Sequence, residues 1–552
     1  MRTIVWTLVP LLCATAARAQ DLLWRLEGNG SLIGRGREIY RLGDANGDGW
    51  EDLIEWGEVY EPASFALRRN AIFVTSGRDG SVLSASPAFP IWSQTFQPLS
   101  LAAIGDMDQD GVPDYAVTVY DGQNVTTSKH VQVRNGATHS VLWTATIPNA
   151  TSSWYGDSLA GDMDLDGDGL RDLVVNATQF SPNGTIFVYD HFGNERYRLI
   201  DSVPGVLTGT DLAPLGGDLD GDGCDDFLSA GPDALNRGAV VVFSGLTGVS
   251  LRVSHGVQNG DKLSFATGCG DMDGDGVLDY AGGGFWGASV VTAFSGATGQ
   301  PIHTWRAPAY PYMGANVFGG FDLDQDGVND LVAGSDNSAV HALSGRDGTF
   351  LWTYPNSLLP SSSGVGLFQT MIAPPPGQTY PIMIYSEATW TSITNPATIM
   401  LPGLLWAYRG GPRGVRTFGR PDVAPGFAPP RIGMRDVPGP AVRFTLSSAP
   451  ASMPALLLLG LSDTVHGALA LPAPLDAFGM PGMTLQTSAE ALSFAWTGAT
   501  GMATGFAQSA LLLPPGRSLG LTGLPVFGQW LWFDPTNLAV SGSTAGQRFF
   551  VQ

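Results

Sequence analysis

The sequence has few cysteines, few basic residues and no long apolar run beyond its N-terminus. Three cysteines in 552 residues exclude a disulfide-rich scaffold. The 28 Lys and Arg against 50 Asp and Glu give a formal net charge of −22, which excludes a basic nucleic-acid-binding surface. No later apolar run is long enough to span a bilayer, and no stretch has the pattern of a long amphipathic helix. We therefore expect no nucleic-acid partner, no transmembrane segment and no helical fold.

Glycine and proline are abundant, with 73 and 38 residues. They divide the chain into short segments with alternating apolar and polar residues, the pattern of β-strands joined by turns. The length exceeds what one hydrophobic core usually supports, so we expect several domains or a closed repeat array. The prediction is an all-β fold.

The N-terminus has the pattern of a signal peptide. Arg2 is followed by an apolar core from Ile4 to Ala14 and by the small-residue site Ala17-Arg18-Ala19. We predict cleavage after Ala19, which assigns residues 1–19 to the signal. The mature protein is then secreted or held at the cell surface, and we expect a monomer.

Two cysteines, Cys224 and Cys269, remain after this cleavage. They lie beside Asp-rich loops of consecutive repeats, so a disulfide between neighbouring blades is geometrically possible. Two buried small thiols are the equal alternative.

Six Asp-rich segments with one pattern recur at intervals of about 50 to 60 residues, a period that suits a four-stranded propeller blade. A short apolar run follows each segment, and a hairpin with a Ser-Gly-x-x-Gly turn follows in several repeats. A seventh unit without Asp residues spans about Ser361 to Gly419. The segment from Leu22 resembles the last strand of other blades. We predict seven blades over residues 20–419, closed by this N-terminal strand, with six or eight blades as alternatives.

Each Asp-rich loop offers carboxylate or amide oxygens at positions 1, 3, 5 and 9, with Gly at position 6 to permit a sharp turn. Position 7 offers its backbone carbonyl. Hard oxygen ligands without His or Cys select calcium, so we predict about six Ca²⁺ ions, one per loop. The predicted ligands are Asp44, Asn46, Asp48, Trp50, Asp52; Asp106, Asp108, Asp110, Val112, Asp114; Asp164, Asp166, Asp168, Leu170, Asp172; Asp218, Asp220, Asp222, Cys224, Asp226; Asp271, Asp273, Asp275, Val277, Asp279; and Asp322, Asp324, Asp326, Val328, Asp330.

The loops are not EF-hands, because five of the six lack Glu at position 12 and strands flank them. From about Ile39 to Gly348 they resemble the FG-GAP (VCBS) repeats of the integrin α-chain propeller and its bacterial relatives. Tyr155-Gly156 and Ala230-Gly231-Pro232 add to the resemblance. It implies one calcium ion in the Asp loop of each blade, in a structural role and at one face of the disc.

The C-terminal part of the chain lacks Asp loops. Pro, Gly and Arg are frequent near residues 420–437, which predicts a linker. Short apolar strands between turns then predict a smaller β-sandwich-like domain over residues 438–552.

No acid, base or nucleophile stands in a catalytic pattern. None of the seven His residues has a metal-binding or triad-like spacing, and we assign each a structural or surface position. We therefore place non-catalytic recognition or adhesion, with a protein or glycan ligand, ahead of an enzyme. The alternative is an extracellular polysaccharide lyase or hydrolase on a calcium-stabilised propeller. The candidate contacts are the loops Val59 to Arg69 and Tyr120 to Lys129 with Trp92, Trp154, Trp286 and Trp390.

Overall fold

The computed structural model of the chain describes twenty-nine segments. They are residues 22–27, 32–60, 68–87, 89–90, 100–120, 129–146, 155–178, 181, 184–284, 288–308, 312–335, 339–355, 367–374, 381–387, 404–409, 416–418, 422–423, 431–435, 441–447, 449–450, 452–462, 464–466, 469–474, 484–487, 491–497, 507–512, 525–533, 540–544 and 546–550. The signal-peptide prediction lies outside these residues. Within them the regular structure consists of strands, and no helix has the length and hydropathy needed to cross a membrane.

Strands are numbered along the chain, and the first, β1 (Leu22–Glu27), belongs to the last of seven antiparallel sheets. The first three sheets are β2 (Leu32–Gly43), β3 (Asp52–Tyr60), β4 (Arg68–Thr75), β5 (Val82–Ala85) with β6 (Phe89–Pro90); β7 (Leu101–Gly105), β8 (Asp114–Tyr120), β9 (Lys129–Arg134), β10 (Val141–Thr146); and β11 (Tyr155–Met163), β12 (Asp172–Ala177), β13 (Thr185–Tyr189), β14 (Glu195–Ile200).

The fourth to sixth sheets repeat this order of four strands. They are β15 (Asp211–Pro214), β16 (Phe227–Gly231), β17 (Ala239–Phe243), β18 (Ser250–His255); β19 (Leu263–Gly270), β20 (Asp279–Gly284), β21 (Val290–Phe294), β22 (Pro301–Arg306); and β23 (Asn316–Phe321), β24 (Asp330–Ser335), β25 (Ala339–Leu343), β26 (Phe350–Pro355). The seventh sheet consists of β27 (Leu367–Ile372), β28 (Ile382–Glu387), β29 (Leu404–Arg409) and β1, which pairs antiparallel with β29.

Seven apolar clusters join these sheets, and each contains buried residues of two consecutive sheets. One packs Val174 of the third sheet with Phe227 and Phe243 of the fourth. Another packs Ile382 of the seventh sheet with Ile39 and Leu53 of the first. Since the last sheet packs on the first, the described sheets form a closed ring. The prediction of an all-β propeller is confirmed.

A hydrogen bond also links the outer strand of the seventh sheet, and of each of the first five sheets, to the next sheet in the ring. A side chain near the start of the outer strand donates to the carbonyl oxygen of the second residue of the next hairpin turn. The donors and acceptors are Trp24 to Gly77, Ser84 to Gly136, Trp143 to His191, Tyr197 to Gly245, Arg252 to Gly296 and His303 to Gly345. Chemically different side chains thus make an equivalent hydrogen bond at six successive junctions between sheets, including the junction of β1 with the first sheet.

The C-terminal part contains two further sheets. The larger is formed by β30 (Arg416–Phe418), β31 (Asp422–Val423), β34 (Pro454–Gly460), β39 (Ala491–Trp496), β41 (Pro525–Phe533), β42 (Val540–Ser543) and β43 (Gly546–Phe550); the smaller by β32 (Arg431–Arg435), β33 (Ala441–Ser447) and β40 (Ala507–Leu512). Two short hairpins, β35 (Val465–His466) with β36 (Leu469–Ala470) and β37 (Ala473–Pro474) with β38 (Thr484–Leu485), complete the described strands. Phe444 and Ala507 of the smaller sheet share one buried cluster with Leu457, Trp530 and Trp532 of the larger, so the two sheets face each other.

The start of this part differs from the predicted boundary. The structure pairs Arg416–Phe418 with β43, Asp422–Val423 with β42 and Arg431–Arg435 with β33. Strands of the C-terminal sheets therefore begin at Arg416 and run through the segment predicted as a linker. Very short edge strands tolerate Pro and Gly between them, which explains why composition alone suggested a linker.

Candidate metal centres

All six Asp loops join the first strand of a sheet to its second. Position 9 of each loop is the first residue of the second strand or directly precedes it. Because the sheets repeat one topology around the ring, the six loops lie at equivalent points of their sheets. The loops therefore face the same side of the ring.

The aspartate at position 1 of each loop accepts hydrogen bonds from backbone N–H groups of the same loop and so fixes its turn. In the fifth loop, Asp271 accepts hydrogen bonds from the N–H groups of Gly274 at 2.7 Å and Gly276 at 2.9 Å. Gly at position 6 has φ between +84° and +91° in all six loops, as the sequence predicted. Position 4 is also left-handed, and two loops place Gln109 and Gln325 there, each at φ +60°. Asp and Gly spacing did not reveal that second positive φ.

Positions 1, 3 and 9 bring three carboxylates together in five of the six loops. In each group, one oxygen per residue lies within 4.8 Å of the others. The groups are Asp106, Asp108, Asp114; Asp164, Asp166, Asp172; Asp218, Asp220, Asp226; Asp271, Asp273, Asp279; and Asp322, Asp324, Asp330. The first loop has Asn46 at position 3, so only its neighbours Asp44 and Asp52 are acidic at these positions. Three converging carboxylates are a fitting donor set for a hard divalent cation.

The position-5 aspartates lie outside these three-carboxylate groups. Oδ1 of each position-5 aspartate accepts the N–H of position 7, as in Asp110 with Val112 at 2.8 Å. The hairpin turn after the third strand supplies further partners. Asn135 Nδ2 donates to Asp108 at 2.9 Å and to Asp110 at 2.7 Å, and Arg346 Nε lies 3.1 Å from Asp326 Oδ2. The predicted role of position 5 as a ligand therefore requires movement of this carboxylate toward the group.

The aspartates at position 9 are fully buried, and five of the six accept hydrogen bonds from two segments of backbone. One carboxylate oxygen accepts the N–H of position 2, as in Asp279 with Met272 at 2.7 Å. In five sheets the other oxygen accepts the N–H of the turn glycine, as in Asp279 with Gly296 at 2.8 Å. Burial raises the pKa of Asp52, Asp114, Asp226 and Asp279 to about 6, despite these donors.

Position 8 of three loops contacts the preceding sheet of the ring. Asp225 of the fourth loop accepts the N–H of Asp164 at 2.9 Å, and its own N–H donates to the carbonyl of Asp164 at 2.7 Å. Asn329 donates to Cys269 at 3.1 Å, and Glu51 accepts the N–H of Ala373 at 2.6 Å. Order in these three loops therefore supports the preceding sheet as well as their own.

The other sequence-based candidates have structural surroundings where they are described. His139 lies between Tyr115 and Ser84, and His341 between Ser335 and Thr353. Cys224 and Cys269 are free buried thiols, so the structure has the second of the two alternatives. Burial raises the pKa of Cys224 to about 11, which keeps it protonated and unreactive.

The recognition candidates fall mainly outside the described residues. Trp92, Trp154, Trp286 and Trp390 lie there, together with residues 61–67 and 121–128 of the two candidate loops.

The buried aspartates predict a pH dependence for the metal-free protein. An unfolded Asp has a pKa of about 3.9, so the raised pKa values of about 6 mean that the folded state binds protons more tightly. The resulting stabilisation is complete below about pH 4 and is lost as the pH rises through 6. In chelator we expect a lower melting temperature at pH 7.5 than at pH 5. Calcium should reduce or reverse that difference; a chelated protein that is more stable at pH 7.5 would contradict the prediction.

Comparison with known proteins gives one repeat family and one group of relatives. Residues 155–189, which include the third Asp loop, match the FG-GAP repeat. The chain is 29% identical over 249 residues to integrin alpha-5 of Xenopus laevis, which covers 42% of this chain and 19% of the integrin. It is 32% identical over 146 residues to integrin alpha-7 of Rattus norvegicus, covering 24% and 12%. The chain thus spans less than a fifth of these relatives, and its resemblance to integrin α-type FG-GAP repeats is confirmed.

Comparison with solved structures includes two matches of low sequence identity. The RRP9 WD40 repeats give a TM-score of 0.44 at 13% identity, covering 71% of this chain and 99% of that one. Saccharomyces cerevisiae Sqt1 gives a TM-score of 0.42 at 12% identity, covering 71% and 99%.

Proposed function

We propose that this protein is an exported, calcium-loaded β-propeller that acts as a non-catalytic recognition or adhesion module for a protein or glycan ligand. The observation that carries the proposal is the grouping of three carboxylates in five loops at equivalent points of the ring. Clustered carboxylates without a counter-ion repel one another, so a hard cation is the partner that this arrangement needs.

The proposed calcium ligands are the side chains at positions 1, 3, 5 and 9 and the carbonyl oxygen of position 7 in all six loops. In the first loop the amide oxygen of Asn46 replaces one carboxylate, which lowers the charge of that site without removing the oxygen. The role of calcium is structural, because position 9 connects five of the loops to a hairpin turn of their own sheet. Position 8 connects the first, fourth and sixth loops to the preceding sheet.

Calcium content tests the metal part of the proposal. We expect metal analysis and titration calorimetry on the mature chain to give about six calcium ions. The control is Asp271→Asn, which keeps an oxygen acceptor but loses one charge in the fifth loop and should weaken one site only. Zero or one bound ion in the wild type would show that the loops are turns without a metal role.

Ligand binding tests the recognition part. The purified, calcium-loaded chain would be screened against arrays of extracellular proteins and glycans, and in parallel incubated with polysaccharides. We expect saturable binding that is lost in chelator, together with unchanged polysaccharides. Release of reducing ends or unsaturated products by the protein would overturn the non-catalytic assignment.

Mass spectrometry of the exported chain should give Gln20 as its first residue, and light scattering should give a monomer.

A further inference from the structure

The outer strands of the ring contain a repeated irregularity. In every sheet of the ring, the pairing of the third strand with the fourth shifts at one place and leaves one residue of the fourth strand unpaired, as in a β-bulge. The residues at this place, from the strand of the seventh sheet onward through the first six, are Leu23, Leu83, Leu142, Arg196, Leu251, Ile302 and Leu351. Six are aliphatic, and the third sheet alone has an arginine.

Arg196 directs its guanidinium into the third Asp loop. Its Nε lies 3.5 Å from Asp166 Oδ2, and its Nη1 lies 3.9 Å from Asp172 Oδ2. Nη1 also donates to the carbonyl of Leu165 at 3.0 Å. The side chain is 17% exposed, so its charge is held largely away from solvent. Two of the three clustered carboxylates of this loop therefore have an arginine beside them.

A second difference in the same blade removes a hydrogen-bond donor from the position-9 carboxylate. In the other five Asp-loop sheets a turn glycine donates its N–H to the position-9 carboxylate, and a Cβ on that glycine would lie 1.9–2.0 Å from the carbonyl oxygen of position 8. The third sheet has His191 at this place, whose Cβ prevents so close an approach. Asp172 Oδ1 is consequently buried without a hydrogen bond.

The other loops obtain their turn contacts in different ways. The turn residue beside the second loop, Asn135, is neutral. The turn residue beside the first loop, Arg78, is 60% exposed and lies 3.8 Å from Asp48. Arg346 in the sixth loop comes from the turn itself and pairs with position 5. Arg196 differs because it comes from the bulge and lies beside positions 3 and 9.

We propose that Arg196 is an internal counter-ion of the third loop, which holds the loop's carboxylates without calcium and competes with calcium for them. The inference rests on the proposed calcium function of the loops. A calcium ion bound by the oxygens of Asp166 and Asp172 would lie close to the guanidinium, so binding requires displacement of the arginine or tolerance of a like charge. The third loop should therefore bind calcium roughly tenfold more weakly than the same loop without the arginine, since unit charges about 4 Å apart interact appreciably even at high dielectric.

Calcium titration calorimetry on the full mature chain tests the proposal. Arg196→Leu installs the residue type that other sheets have at the bulge, and Arg196→Gln is a second variant that retains polarity. The matched control is Arg198→Leu, which removes the same charge from the same strand but pairs with Glu195 outside the loop. We expect both Arg196 variants to tighten one calcium site, that of the third loop, by about tenfold, an effect of one nearby charge. Arg198→Leu should titrate like the wild type, and adding Asp166→Asn to Arg196→Leu should abolish the gain.

Melting in chelator gives an independent readout. Without calcium, Arg196→Leu should melt below Arg198→Leu because the carboxylates of the third loop lose their counter-ion, whereas saturating calcium should remove that difference. If calcium binds but the Arg196 variants titrate like the wild type or more weakly, the inference is overturned and the calcium function stands. If no variant and no wild-type protein binds calcium, the calcium function itself is overturned, and the competition with it.

Discussion

Removal of calcium is expected to lower the melting temperature of the propeller by on the order of 10–20 °C, given the usual relation of free energy to melting temperature. Sites in extracellular modules bind calcium at roughly 10⁻⁴ to 10⁻³ M, so tenfold saturation stabilises by about 1.4 kcal/mol per site. Six independent sites give roughly 8 kcal/mol, which is comparable to the whole stability of an ordinary domain. The contacts through position 8 extend this effect from the first, fourth and sixth loops to the preceding sheet.

The measurement is a pair of calorimetric melts, one in millimolar calcium and one in excess chelator, with excess magnesium as the ion control. The C-terminal sheets contain no Asp loop, so their transition should stay in place and serves as an internal reference. Asp271→Asn should lower the propeller transition more in calcium than in chelator, where the variant loses only one of its two backbone acceptors. Asp79→Asn, at an exposed turn where Asp79 caps Ser81 at 2.9 Å, should have little effect in either condition. Identical melts with and without calcium would rule out a structural role for the ion.

The Asp loops and the propeller were predictable because both depend on local rules that recur. A ligand at alternate positions, a Gly at position 6 and an apolar strand afterwards follow from neighbouring residues, and six copies make the pattern clear. Met272 and Gly296, which hydrogen-bond to Asp279, show what this local pattern cannot supply. One of them is within the loop, but the other lies on a hairpin turn that only the paired strands bring close.

Contacts between sheets were not predictable, because side chains of different chemistry make the same hydrogen bond at equivalent places. Trp143, Tyr197 and Arg252 all donate to the next turn, yet no sequence pattern unites them. The exception in the third blade was equally hidden: Arg196 is two residues from another arginine, and only strand pairing shows which of them occupies the bulge. The early start of the C-terminal sheets was missed because strands of two or three residues carry too little periodicity to detect.

Trp24→Ala is expected to destabilise the propeller by about 3–5 kcal/mol, the usual cost of truncating a buried tryptophan. Trp24 is 8% exposed and packs in the cluster that joins the seventh sheet to the first, with Ile382 and Ile39. Its Nε1 donates to the carbonyl of Gly77 at 2.9 Å, while the N–H of Gly77 donates to Asp52 at 3.0 Å. The variant should therefore weaken both the closure of the ring and the first Asp loop.

Urea unfolding at saturating calcium, with a graded set of variants, measures this effect. Trp24→Phe keeps most of the buried ring but removes the donor, so we expect a loss of about 1 kcal/mol, the net value of a typical hydrogen bond. Trp530→Ala removes a fully buried tryptophan from the C-terminal core and should shift only the transition that calcium does not affect. A Trp24→Ala protein within about 1 kcal/mol of the wild type, at the level of an ordinary surface substitution, would mean that the N-terminal strand does not close the ring. A large loss confined to the calcium-dependent transition would instead show that β1 closes the ring. That transition belongs to the Asp-loop sheets, and Trp24 lies on the strand that joins the last sheet to the first.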